Sequence, residues 1–302
     1  MRIVTGEIDG DGWEDLVHKI LRIKYPNSYN KVPAKFAGDL GIEGFTYIGH
    51  AFQCYCPDGN PSSKELYQRQ RDKITADIKK FTQNEDKLLE ILDDIQINRW
   101  KFVTPIVEDR SLLKHCRKKE REVKNKACKH VNNEEFRIQI VEEENYTSEI
   151  NKLHNSHGLM YEASIPKVDE KKIEEWKTSE DEFHNNLDTK LSKIVSKDER
   201  KKDFINVNIK SLIEGEAILH DLQVNFPDTQ EKIIQLIDSW ENDVRMESVL
   251  NEANPNALMK ETSEKFRKDL LEEFKGQIST ATAIRLTRRT ISFWLCKCPL
   301  DF

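Results

Sequence analysis

The segment that decides the fold spans residues 38–45 and reads Gly-Asp-Leu-Gly-Ile-Glu-Gly-Phe. Eight residues later, residues 53–55 read Gln-Cys-Tyr inside an apolar stretch. Glycine permits tight turns and close approach of the backbone to a ligand. Strand-like runs at residues 42–48 and 51–56 are joined by a short Gly-His turn. The sequence therefore predicts two paired strands entered through a glycine-rich turn that carries two acidic residues.

Side-chain alternation assigns faces to the second of these strands. Gln53 and Tyr55 share one face, and Cys54 and Cys56 share the other, because successive side chains point to opposite sides. If the cysteine face packs under a helix, Gln53 faces the acidic residues of the turn. Glu43 and Gln53 need partners, since a polar group inside an apolar strand is otherwise costly. Tyr55 also fits an ordinary half-buried strand aromatic.

The first half of the chain alternates helix-like and strand-like segments. A helix capped by Asp9 or Asp11 and a strand at residues 29–36 come before the turn. A long helix follows the strand pair. After it come a buried strand at residues 100–107, a second helix at residues 111–129 and a last strand at residues 136–141. This αβββαβαβ order predicts a mixed central sheet covered by helices.

From about residue 170 the strand signals end and charged amphipathic segments follow. Their spacing predicts helices over residues 169–195, 198–226, 227–250, 256–279 and 281–295. The sequence thus indicates three parts, which are an α/β domain, a linker and an all-α domain over residues 1–155, 156–168 and 169–302. The apolar C-terminal stretch, residues 293–302, is expected to dock into the bundle or a partner subunit.

Charge and hydropathy restrict the environment of the protein. The net charge of −6 over 302 residues gives no general attraction to nucleic acid, so DNA contact would depend on local basic patches. A basic run lies at residues 114–129, and a smaller arginine cluster at residues 285–289 also fits a solvated helix face. No apolar run is long enough to span a bilayer, and residues 1–10 lack a signal-peptide core. We therefore expect a soluble cytoplasmic protein with reduced thiols.

The cysteines include two Cys-x-Cys pairs, which could in principle form a zinc site. Their spacing is shorter than the usual Cys-x₂₋₄-Cys, and the first pair lies in a strand-like run. Small buried apolar side chains are the favoured interpretation, and a zinc-stabilised interaction protein is the weaker one. The six residues are Cys54, Cys56, Cys116, Cys128, Cys296 and Cys298.

The polar residues around the turn have the chemistry of a Mg²⁺ site. Glu14 lies about 100° around the first helix from Trp13, at the rim of its apolar stripe, where a solvated role is the alternative. Two or three oxygen ligands on neighbouring elements suit Mg²⁺, which completes its octahedron with water and substrate phosphate. The expected reaction is phosphodiester hydrolysis, in which a lysine normally assists the attacking water.

These features resemble the Mrr-like branch of the PD-(D/E)xK nuclease superfamily. The resemblance rests on Trp13-Glu14-x-x-Val17 in the first helix, the turn at residues 38–45 and the strand at residues 51–55. That branch shows a Gly-Asp-Gly-Gly-x-Asp-Gly turn and a strand that ends in Gln-x-Lys. The αβββαβ order agrees with that fold, so the resemblance covers about the first 145 residues.

The resemblance implies metal-binding roles for four residues. Glu14 matches the helix-borne acid, and Asp39 matches the earlier acid of the turn, where turn geometry alone also favours aspartate. Glu43 takes the place of the main metal-binding aspartate with one more methylene, and Gln53 matches the first residue of Gln-x-Lys. The implied metal is Mg²⁺ or Mn²⁺.

The lysine of that pattern is missing, because Tyr55 occupies its position. A tyrosine with an ordinary pKa near 10 is neutral and supplies no cation. In some members of the superfamily the lysine moves to a neighbouring element. Lys35 on the preceding strand and Lys64 at the start of the next helix are therefore the candidates.

The resemblance implies a metal-dependent DNA endonuclease with an appended assembly domain. Such nucleases often act as effectors in multi-component prokaryotic anti-phage systems, sometimes beside SMC-type ATPases. We therefore expect an oligomer with partner protein subunits, including an SMC-type or other ATPase, and no membrane association. The alternative is a catalytically inactive nuclease-fold protein that serves as a DNA-binding or structural subunit of such a complex.

Overall fold

The computed structural model describes residues 2–4, 6–33, 40–194, 198–250 and 255–297. Two of the predicted site residues, Lys35 and Asp39, lie outside this range, as do the last five residues of the apolar C-terminal stretch. The chain forms two compact units. The first consists of Met1–Ile3 with Glu7–Leu153, and the second of Val4–Gly6 with His154–Phe302.

The chain begins with two short strands and a long helix, which are β1 (Arg2–Ile3), β2 (Gly6–Glu7) and α1 (Gly10–Lys24). Asp9 caps the N-terminus of α1, and its carboxylate accepts a hydrogen bond of 2.8 Å from the Gly12 amide. The predicted apolar stripe is buried. Trp13 is fully buried and its indole NH donates to the carbonyl oxygen of Val103 at 3.1 Å. The helix is thereby fastened to the sheet.

A five-stranded mixed sheet forms the centre of the first unit. In spatial order its strands are β3 (Tyr29–Lys31), β4 (Gly44–Thr46), β5 (His50–Cys54), β6 (Arg99–Thr104) and β7 (Arg137–Glu142). Strand β4 pairs antiparallel with both neighbours, whereas β5, β6 and β7 run parallel. The mixed sheet that the sequence predicted is thus confirmed.

Three helices cover one face of the sheet. Their apolar side chains, such as Ile74 and Phe81, form one cluster with Ala51, Trp100 and Phe102 of the strands. The predicted single long helix after the strand pair is wrong, because two helices stand there. The helices are α2 (Ser63–Gln83), α3 (Glu85–Leu92) and α4 (Ser111–Lys126), and a 3₁₀ turn (Glu143–Tyr146) and α5 (Thr147–Asn155) follow β7.

Asn84 causes the break between α2 and α3. Its side-chain amide donates to the carbonyl oxygen of Lys80 at 2.8 Å, which caps α2 with a non-helical ψ of 38°. Asparagine competes for backbone hydrogen bonds in this way and favours helix ends. The apolar spacing continues in phase from Phe81 to Leu88, so the spacing alone could not reveal the break.

The second unit is mostly helical, as predicted. The expected helix at residues 169–195 is instead two helices, because the chain leaves helical geometry at Glu180, where ψ is 49°. Helices α8 and α11 approach closely, since a Cβ on Gly215 would lie 2.2 Å from the Cβ of Arg289. The helices are α6 (Glu170–Ser179), α7 (Asp181–Ile194), α8 (Asp198–Asn225), α9 (Pro227–Leu250), α10 (Pro255–Glu273) and α11 (Thr280–Lys297).

Part of the segment predicted as a linker is packed in the second unit. Tyr161 is fully buried, its amide donates to the Gln277 carbonyl at 2.7 Å, and its own carbonyl accepts from the Ser279 amide at 2.9 Å. Its hydroxyl donates to the Asp221 carboxylate at 2.6 Å. Among the helices of the described residues, none combines the length and the apolar character needed to cross a lipid bilayer.

Candidate active site

The site lies where strands β4 and β5 separate. The ladder pairs Gly44 with Phe52, and the Glu43 amide extends it by donating to the Phe52 carbonyl at 2.8 Å. Beyond that point the carboxylate of Glu43 accepts the Cys54 amide at 2.8 Å and the Gln53 side-chain amide at 2.5 Å. Hydrogen-bond donors of β5 thus orient both carboxylate oxygens of Glu43.

Gln53 is completely buried, with 0% of its surface exposed. Its amide nitrogen donates a hydrogen bond to the Glu43 carboxylate, but its amide oxygen has no hydrogen-bond partner among the described residues. An unsatisfied buried acceptor costs roughly 1–3 kcal/mol. Amide and carboxylate oxygens are ligands that Mg²⁺ accepts. The residues present therefore fit a divalent cation beside Glu43 and Gln53.

The electrostatics of Glu43 agree with this fit. Burial raises the pKa of the Glu43 carboxyl from 4.5 to about 7, and the negative charge of Glu14 adds to the increase. Hydrogen bonds from Cys54 and the positive charge of Lys73 offset part of it. A carboxyl group in such a position gains from a bound cation, because the cation stabilises its ionised form.

We expect Glu43 to make the stability of the protein depend on pH when no metal is present. The folded state holds the Glu43 proton up to a pKa of about 7, against 4.5 for the ordinary side chain. The stabilisation of the folded state by the Glu43 proton is therefore complete below pH 4.5 and is lost as the pH rises through 7. We expect wild type to lose roughly 1–3 kcal/mol more free energy of unfolding than Glu43→Gln between pH 5 and pH 8, as measured by urea unfolding. A constant difference would refute the raised pKa.

The turn before Glu43 is fastened on two sides. Gly41 has a φ of +81°, and its carbonyl accepts the indole NH of Trp100 at 2.9 Å. A Cβ on Gly41 would lie 2.2 Å from the Asp77 carbonyl oxygen of α2. Only glycine combines this backbone conformation with such a close approach. Helix α2 and strand β6 therefore fix the direction in which the chain presents Glu43.

Glu14 of α1 has partners of its own. Its carboxylate is 3.1 Å from the Nε2 atom of His18 and 3.4 Å from the Nζ atom of Lys31. About a third of the Glu14 side chain is exposed, at 36%. The negative charge of Glu14 adds to the increase in the pKa of Glu43. The structure thus shows Glu14 as a partly exposed acid that is paired with His18 and Lys31.

Tyr55 continues the register of β5, because its amide donates to the Val103 carbonyl at 2.9 Å. Its ring stacks on Phe102 at 5.8 Å between centroids and packs against the core cluster that includes Ala51. Burial raises the pKa of Tyr55 above its ordinary value, so the phenol stays neutral. Tyr55 is thus a partly buried side chain that packs against the core.

The remaining candidate residues are unequally placed. Lys64 is exposed in the first turn of α2, and the structure gives it no contact with Glu43 or Gln53. The five cysteines that the structure describes are buried and form no disulfide with one another, and burial raises the pKa of the Cys54 thiol well above its ordinary value. Among the described residues, which do not include Asp39, no group of three or more His, Cys, Asp or Glu is arranged to hold a metal.

Sequence reasoning missed two residues of α2, Lys73 and Asp77. Asp77 is completely buried, and its carboxylate contacts Lys73 at 2.9 Å and Lys80 at 3.3 Å. A signal was present, because Asp77 occupies the apolar stripe of the helix between Ile74 and Phe81. A charged residue at a core-facing position is buried only with partners, which marks it as structural or functional.

Comparison with models of known protein families, with curated proteins and with solved structures gave no match to this chain.

Proposed function

We propose that the α/β unit is a metal-dependent DNA endonuclease of the Mrr-like PD-(D/E)xK type. The observation that supports the proposal best is the pair of Glu43 and Gln53 at the end of β5. One carboxylate with a raised pKa stands beside one buried amide oxygen that has no hydrogen-bond partner in the described part of the chain. Such an arrangement is costly for a purely structural core and favourable for a site that receives a cation.

In this proposal Glu43 and the amide oxygen of Gln53 hold Mg²⁺ or Mn²⁺, with Glu14 close by and Asp39 implied by the family resemblance. A bound metal polarises the phosphate and activates water. Cys54 holds the Glu43 carboxylate through its backbone amide at 2.8 Å. Gln53 orients its own oxygen by donating its amide to the same carboxylate. The site is therefore preorganised by β5.

DNA as the substrate is supported by the surface of α4. Lys114, Lys118 and Arg121 are exposed, and their spacing of four and three residues puts them on one side of the helix. Arg117 and Lys119 are instead paired with acids of the same helix at 2.9 and 2.7 Å. A local cationic row on an acidic protein is the kind of feature that contacts phosphates without regard to sequence.

The second unit gives the proposal its biological setting. We propose that it joins the nuclease to partner subunits, such as an SMC-type or other ATPase, in an oligomeric prokaryotic anti-phage complex. The stacking of Tyr55 on Phe102 favours one alternative, in which the fold is catalytically silent and binds DNA or partners.

Purified protein should nick supercoiled plasmid in the presence of Mg²⁺ or Mn²⁺, and EDTA should stop the reaction, because the site depends on a divalent cation. Gel electrophoresis of plasmid and linear DNA measures this, alone and with the products of neighbouring genes. DNA binding without cleavage under all these conditions would favour the silent alternative. The absence of both cleavage and binding would contradict the proposal as a whole.

A further inference from the structure

We propose that Lys73 of α2 supplies the cation that Tyr55 cannot supply, reaching the site from the helix above the sheet. This inference rests on the proposed nuclease function and names a further residue of the same site. Two features of the structure support it, which are the path of α2 and the buried partner of Lys73.

The path of α2 is fixed at two points on one side of the helix. At Gln70 the side-chain amide donates to the hydroxyl of Thr104 at 3.2 Å and to the Ile106 carbonyl at 2.7 Å, at the end of β6. At Asp77 the backbone carbonyl packs against Gly41, just before β4. Helix α2 therefore crosses from the end of β6 to the segment that leads into β4.

Strand β5 lies between β6 and β4 in the sheet. Seven residues of helix, from Gln70 to Asp77, span about 10.5 Å, which matches two strand spacings of about 4.8 Å each. Lys73 follows Gln70 by three residues, so it lies about 4.5 Å along the helix axis from Gln70. It therefore lies above the end of β5, where Glu43 and Gln53 meet.

The position of Lys73 is held by Asp77. The Lys73 ammonium is 2.9 Å from the buried Asp77 carboxylate one helical turn away, and 29% of the lysine side chain is exposed. An ion pair with one fully buried partner limits the directions that the lysine can take.

Lys64 does not meet these conditions. It precedes Lys73 by nine residues, which is about 13.5 Å along the helix axis. Of these two lysines of α2, Lys73 is therefore the one whose position fits the missing lysine.

Lys73 would act as an ammonium throughout the reaction. A water oxygen bonds to phosphorus while the bond from phosphorus to the leaving oxygen breaks. The water releases one proton to solvent, the leaving oxygen takes one from solvent, and Lys73 keeps its own proton. The ammonium stabilises the negative charge that increases on the phosphate, as fixed positive charges do in other phosphoryl-transfer sites.

The test compares Lys73→Met, Lys73→Arg and the control Lys80→Met. Lys80 also contacts Asp77, at 3.3 Å, but stands two turns further along the helix. We expect Lys73→Met to lower the kcat of metal-dependent plasmid cleavage on the order of 100-fold with little change in KM or Mn²⁺ affinity. Lys73→Arg should recover part of the rate, and Lys80→Met should remain near wild type.

A second readout separates this inference from the proposed function. Carbon-13 NMR of labelled glutamate follows the pKa of Glu43, which should rise in Lys73→Met and stay unchanged in Lys80→Met. This holds whether or not the wild type cleaves DNA. The inference would be overturned if Lys73→Met changed neither the cleavage rate nor the pKa of Glu43. It would also be overturned if Lys73→Met and Lys80→Met changed them equally. The double variant Lys73→Met/Asp77→Asn also removes the buried charge that Lys73 accompanies, and it keeps the test valid if Lys73→Met unfolds.

Discussion

Glu43→Gln should abolish metal-dependent DNA cleavage and leave the protein folded. The substitution keeps the size of the side chain but removes the charge that would hold the metal. Because loss of residues that only support a metal ligand typically costs 10- to 100-fold, we expect loss of a ligand itself to cost at least about 100-fold in rate. The measurement is the rate of plasmid nicking against Mg²⁺ concentration, with Mn²⁺ affinity from calorimetry.

Glu90→Gln is the matched control, because Glu90 is an exposed glutamate of α3. It changes the net charge by the same amount at a distance from β5. The control should cleave like wild type. Cleavage by Glu43→Gln at the wild-type rate would remove Glu43 from the site, and equal losses in both variants would point to a general charge effect.

Gly41→Ala should lower the free energy of unfolding by at least about 3 kcal/mol, from backbone strain together with steric overlap. The new Cβ would lie 2.2 Å from the Asp77 carbonyl oxygen and 2.7 Å from the Phe81 amide nitrogen, both of them backbone atoms of α2. Neither can move without displacing the helix. The φ of +81° adds strain for any residue with a side chain. Urea unfolding measures the change.

Gly59→Ala provides the control for this prediction. Gly59 also has a positive φ, of +66°, but no atom lies within 4 Å of its added Cβ. The free energy of unfolding of Gly59→Ala should fall by only about 1–2 kcal/mol, from the backbone strain that a side chain adds at positive φ. A Gly41→Ala variant no less stable than Gly59→Ala would show that the turn is not fastened to α2.

The sequence predicted those parts of the site that depend on local geometry. Glu43 and Gln53 face each other across one antiparallel strand pair, so a turn and side-chain alternation were sufficient to bring them together. The position of Lys73, on which its proposed role is based, could not be predicted in this way. It depends on the course of α2 over the sheet, which is set by tertiary contacts at Gln70 and Asp77.

Helix boundaries were predicted less well than the order of the elements. The apolar spacing continues through Asn84, and the break there depends on a capping hydrogen bond of one side chain. The same reasoning applies to the predicted helix end at residue 279, where α10 stops at Glu273 and Gly276 takes a φ of +81°. Periodicity identifies the buried face of a helix, whereas caps and turns decide where it ends.

The most direct test of the proposed metal site is anomalous diffraction from crystals soaked in Mn²⁺. Wild-type crystals should give a peak about 2.0–2.3 Å from a carboxylate oxygen of Glu43 and from the amide oxygen of Gln53, the range of hard-cation bonds to oxygen. The same soak of Glu43→Gln crystals should show no peak there. A wild-type map with no Mn²⁺ at these two oxygens, at a concentration that supports cleavage, would show that Glu43 and Gln53 do not hold the metal.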